Sequence, residues 1–168
     1  MWPFKKKNKA IEDPISMVLL HQQPRHYQVD EIQSAAARVW QGSADEFTVM
    51  ESNGKAILHV GGHMLSLVSV GQRYLGNMSS EFEKRMQNPV QRSVWARHTS
   101  WTAVDYLPGG GDIELKYCVL ARFIAELLDS NCLGIYMPGE QALMPHDPDV
   151  YAELKKMGAS RDTYPYLT

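Results

Sequence analysis

Apolar and polar residues alternate or recur along the chain in patterns that predict a run of short elements. Ser16 to Leu20 is a short apolar stretch between Pro14 and Pro24 and predicts a buried strand. Asp30 then caps a predicted helix. In it Ile32, Ala35, Ala36 and Val39 recur at three and four, Trp40 broadens the stripe, and Gly42 ends it. Three strands follow, Phe47 to Met50, Lys55 to Val60 and His63 to Val70. Asn53-Gly54 and Gly61-Gly62 supply the positive φ values that two-residue hairpins need. Pairing outward from each turn puts Phe47, Val49, Leu58, Val60, Leu65 and Leu67 on one face, the core side. Thr48, Met50, Ile57, His59, Met64, Ser66 and Val68 fall on the other, a mixed face that is covered in part by the chain's own helices or by a partner.

Farther on, Ser80 and Glu83 predict a capping box for a short helix, and Asn88-Pro89 starts another through Val90, Val94 and Trp95. Thr99 to Leu107 predicts a strand. Pro108 and Gly109 to Gly111 break it before Asp112 caps a long helix reaching about Asp129, with Ile113, Tyr117, Leu120, Ala121, Ile124, Leu127 and Leu128 on its apolar face. Leu133 to Met137 is a further strand closed by Pro138-Gly139. Asp147, Pro148 and Gly158 delimit a last helix carrying Val150, Tyr151, Leu154 and Met157. Strand, helix and strand over 16–50 recur over 99–137, which suggests two similar halves. The expected fold is α+β, with a mixed or antiparallel sheet, a three-stranded meander at about 47–70, two strand-helix-strand units and helices packed on the sheet. It forms one domain over 14–158, between a basic tail (1–13) and an extended aromatic tail (159–168).

Composition narrows the class. The 168 residues are 44% hydrophobic and 21% charged, the balance of a folded chain and not of a disordered one. A net charge of -2 and a pI near 6.3 give no positive field to gather nucleic acid. Cys118 and Cys132 are too few for a disulfide framework, which points to a reducing cytoplasm. Glu12, Asp13 and Pro14 interrupt any signal-peptide core behind Lys5, Lys6, Lys7 and Lys9, and no stretch reaches transmembrane length. Trp2 and Phe4 beside those lysines could rest on an anionic surface. Trp2 stands where myristoylation needs glycine, however, so membrane contact by residues 2–9 is disfavoured.

Candidate chemistry is sparse. His59 and His63 have a ligand-like spacing, but a two-residue Gly61-Gly62 loop sends them to opposite faces, so no metal is expected. The Pro108 to Asp112 turn has the placement of a phosphate loop. It lacks the Lys-Ser or Lys-Thr that would follow, and Asp112 sets a negative charge where phosphate would sit, so no cofactor is expected either. Cys118 lies in a packed helix, neither cysteine has a local His or carboxylate, and no Gly-x-Ser-x-Gly elbow occurs. The densest functional run is Trp95 to Trp101. Either Trp95 and Trp101 are core anchors with His98 a hydrogen-bonded corner, or they wall a site in which His98 acts as acid or base.

Val60-Gly61-Gly62 leading into an apolar strand, then Trp95, His98 and Trp101, then Tyr117 and Ala121, then Leu133 to Pro138 together resemble the bacterial domain-of-unknown-function 4261 family over roughly 15–145. The resemblance implies a small bacterial cytoplasmic α+β protein and brings no reaction, cofactor or catalytic residue with it. It makes His98 the first polar position to test.

These observations favour a non-catalytic cytoplasmic protein-binding module, with an immunity or adaptor protein for a bacterial secreted toxin as its example by class analogy. Nine methionines suit adaptable contacts, and the expected binding residues are Trp95, His98, Trp101, Met50 and Met64. The partner is another protein or a second copy of the chain. The rival is a small enzyme or ligand-binding domain with a pocket near His98.

Overall fold

The computed structural model describes residues 14–42, 47–60, 62–107 and 112–158. Both predicted tails, and the glycines of the 108–111 turn, lie outside the described residues. Element order is β1 (Ile15–His21), α1 (Val29–Trp40), β2 (Thr48–Ser52), β3 (Lys55–Val60), β4 (His63–Val70), a 3-10 turn (Gly76–Met78), α2 (Ser79–Lys84), α3 (Pro89–Arg97), β5 (Ser100–Leu107), α4 (Ile113–Ala125), β6 (Cys132–Met137), β7 (Ala142–Pro145) and α5 (Val150–Gly158).

Most ends follow the residues that signal them, with four differences of detail, one being that α5 begins at Val150, past Asp147 and Pro148, and includes Gly158. Asp30 does not cap α1. Gln28 does, in a capping box with Glu31, whose carboxylate accepts the Gln28 N–H at 2.7 Å. The Ser80–Glu83 box does not form either. The 3-10 turn delivers the chain to Met78 already in the right-handed helical region, so α2 starts two residues early without a side-chain cap. The long helix stops at Ala125, short of Asp129, because Glu126 and Leu127 donate to the carbonyls of Phe123 and Ile124 and tighten the last turn. Asn88 and Asp112 cap α3 and α4 as their side chains allow.

The strands form one antiparallel sheet in the order β2-β3-β4-β5-β1-β6-β7. Both hairpins have two-residue loops, with Ser52 opposite Lys55 and Val60 opposite His63. Asn53 and Gly54 take φ of 51° and 76°, the left-handed values that turn requires. β7 is an element that the sequence pattern did not announce.

The two expected halves exist as crossovers but differ in span. The β5-α4-β6 unit straddles β1 alone, while β1-α1-β2 passes three strands to reach the far edge. Both helices lie on the same face, where Met17, Leu19, Ile32, Val39, Trp40, Leu58, Leu65, Val104, Phe123, Ile124, Ile135 and Leu154 make the main core. On the opposite face α2 and α3 cover β1, β6 and β7 through a second cluster of Val18, Leu20, Val94, Trp95, Tyr136 and Leu143. That second layer stops at Tyr74 and Trp101, which meet edge to face at 5.1 Å.

Candidate functional site

Strand register fixes what lies beyond that boundary. On the helix-free side of β2, β3, β4 and β5, cross-strand neighbours form three rows. The first is Thr48, His59, Met64 and Leu107. The second is Met50, Ile57, Ser66 and Asp105, continued onto β1 by Ser16. The third is Ser52, Lys55, Val68 and Ala103. Met50 is 59% exposed, and Ile57, Met64, Val68, Ala103 and Leu107 are half-buried. The sequence-derived face is therefore present, and only part of it is covered.

Its one carboxylate is held in place. Ser16 donates a short hydrogen bond to Oδ1 of Asp105, and Ser66 donates to Oδ2 at 3.3 Å. Asp105 thus sits beside a half-buried apolar surface with two hydroxyls as partners. Burial, with the Asp105 charge second, pushes the Tyr74 phenol above its ordinary range. The arrangement is an apolar sheet platform around one fixed anionic point.

The other expected binding residues are not surface groups. Trp95 is fully buried, and its indole N–H donates to the carbonyl and hydroxyl of Ser79 at 3.0 and 3.1 Å. His98 is 1% exposed. Its Nε2 accepts the Tyr74 N–H at 3.0 Å, and its Nδ1 bonds to the Trp95 carbonyl. Burial lowers its pKa, the Trp95 carbonyl opposing. A ring with both nitrogens engaged inside the second cluster has no free position for a substrate, which corrects the expectation of a site at His98. Trp101, half-buried, stands at the rim of the platform. Only Met50, Met64 and Trp101 of the five share one surface.

His59 and His63 do face opposite ways. His59 is exposed, while His63 is buried with its Nδ1 against the Tyr106 hydroxyl at 2.5 Å. Cys118 and Cys132 are both buried, and burial pushes the Cys132 thiol up to about 12, far from thiolate formation at neutral pH. Among the described residues no three His, Cys, Asp or Glu gather as metal ligands.

A separate polar cleft of about 350 Å³ opens between α1 and the end of α4, lined by Arg25, Tyr27, Glu31, Arg38, Glu126 and Asp129 among others. Its charges pair with one another. Arg25 bridges Glu31 at 2.7 Å and Asp129 at 2.9 Å, and Glu126 takes Arg38 at 3.0 Å and Lys155 at 2.6 Å. Sequence reading missed this cleft because its partners come from three distant segments. No helix of the described residues is long and apolar enough to cross a membrane.

No family model matches the chain, no curated protein matches it, and no solved structure matches the fold.

Proposed function

We propose that this protein is a non-catalytic binding module that docks another protein on the open half of its sheet. The observation that carries this reading is the half-covered face. The same sheet side is sealed by Trp95, Phe82 and Tyr136 over β1 and β6, yet leaves Met50, Ile57, Met64 and Val68 without a helix above them among the described residues. Clustered apolar residues at such a place mark an interaction surface. Methionine adapts to varied contacts, and Asp105 supplies one charge that selects a basic group on the partner.

The immunity or adaptor role, and the resemblance to the domain-of-unknown-function 4261 family, belong to this proposal as class analogy. Catalysis at His98 has no geometric support, since both ring nitrogens are engaged.

The test is capture of the tagged full chain from a lysate of its source cells, read by native mass spectrometry, beside Met64→Asp and Val90→Asp. Val90 is a control, 59% exposed on α3. A stoichiometric partner retained by Val90→Asp and lost by Met64→Asp, with both variants folded, supports the platform. A partner that Met64→Asp retains, or a chain that arrives alone, overturns it.

A further inference from the structure

The two edges of the sheet are finished differently. At β7, Pro145 ends the strand, and the Gln91 side-chain amide donates to the Leu143 carbonyl at 2.9 Å, so α3 occupies that edge. β2 is less protected among the described residues, the Gln33 side-chain amide of α1 reaching only the Phe47 carbonyl before its start, at 3.3 Å. It contains no Pro or Lys, its register with β3 is unbroken from Thr48 to Ser52, and four of its five residues are exposed. Exposed strand edges are ordinarily blunted by one of these devices.

The hairpin turn tells which backbone groups point outward. The Ser52 carbonyl faces Lys55 across the turn, so by alternation Met50 and Thr48 bond toward β3 and Val49 and Glu51 present N–H and C=O to the free edge. We infer that β2 pairs antiparallel with β2 of a second copy, about a two-fold axis at Met50. Val49 of each copy then exchanges both N–H···O=C bonds with Glu51 of the other, and the two Met50 side chains meet as a close non-hydrogen-bonded pair. The register is self-complementary. Thr48 falls opposite Ser52 and Val49 opposite Glu51, so no like charges oppose each other. A one-residue slip of the register would set outward groups against inward ones.

Area gives a second argument, which rests on the docking reading above. Four strands at about 4.8 Å and three rows at about 6.8 Å make a platform of roughly 400 Å² per copy, about half of what one side of a standard interface buries. Pairing at β2 joins two platforms into one of standard size. The edge argument stands without that point.

The strand contact alone is small, so the dimer is weak and concentration-dependent. Sedimentation velocity of the full chain from about 10 μM to about 1 mM covers the range for such contacts. The expected result is a monomer–dimer equilibrium in the native protein that Glu51→Pro shifts to monomer at least tenfold, because the lost N–H points outward. Met50→Cys, mildly oxidised, should form a disulfide-linked dimer at least tenfold faster than Val49→Cys, since only position 50 meets itself. A native chain monomeric throughout, or equal cross-linking at 49 and 50, overturns the inference. Should Glu51→Pro fail to fold, the cysteine pair still decides. Met64→Asp lies away from the edge, so partner capture that this variant retains, with cross-linking at position 50 intact, would sink the docking reading alone.

Discussion

The backbone N–H of Tyr74 donates to Nε2 of His98 at 3.0 Å, across 24 residues of chain. An acceptor nitrogen carries no proton, so Nδ1 carries it and donates to the Trp95 carbonyl. His98 is therefore a neutral clamp that ties the segment after β4 to the end of α3. His98→Ala leaves a buried donor and a buried acceptor unpaired, each worth about 1–3 kcal/mol, so we expect a loss of about 3 kcal/mol in urea unfolding. A midpoint that does not move would remove the clamp.

Acid should weaken the fold through buried histidines. His21 is fully buried with Nε2 against the Thr102 hydroxyl at 3.0 Å, and burial lowers its pKa from 6.5 to about 4, the Asp129 charge opposing. The unfolded chain takes up this proton near pH 6.5 and the folded chain only near 4. The stability is complete above 6.5 and is lost as pH falls toward 4, by about 3 kcal/mol. Burial lowers His63 as well as His98, so both add in the same direction. Unfolding free energies measured between pH 7 and 4 should show this slope, and His21→Gln should flatten it; an equal slope in the variant would contradict the assignment.

Gly134 sets how closely α3 approaches the sheet. A Cβ there would lie 2.8 Å from Cγ1 of Val94 and 3.0 Å from the Met144 carbonyl oxygen. Neither the β-branched side chain nor the backbone yields without moving α3 or β7. Gly134→Ala should cost about 1–3 kcal/mol by overpacking. Thermal unfolding provides the measure, with no change in melting temperature as the contrary outcome.

Local order was largely legible. The hairpin register followed from Asn53-Gly54, and with it the positions of Met50 and Met64 on one face. The α4 stripe and the Asn88 and Asp112 caps were equally plain, since each signal lies within a few residues of what it controls. β7 escaped because four residues ending in Pro145 carry too little alternation, and the left-handed position of its turn is held by Gln141 at φ 47°, not by a glycine. The site was half legible. Residue type cannot tell whether Trp95 and His98 face water or an aromatic cluster, because Phe82, Tyr74 and Tyr136 enclose them from three other segments of the chain. Asp105 meets Ser16 only through a pairing 89 residues apart.

The strand order also sets a timetable. β1 is the first strand made, yet its neighbours are β5 and β6, so both its edges wait for more than half of the chain. The local meander can close early, but Val18, Leu19 and Leu20 are without strand partners until β5 is made, and their second edge waits for β6 in the last third. Pairings this distant slow folding and leave apolar strand edges open to wrong neighbours. A nascent chain halted after β4 should be held by chaperones, and refolding of the complete chain should be limited by the arrival of β5 and β6 at the strand that has been waiting for them.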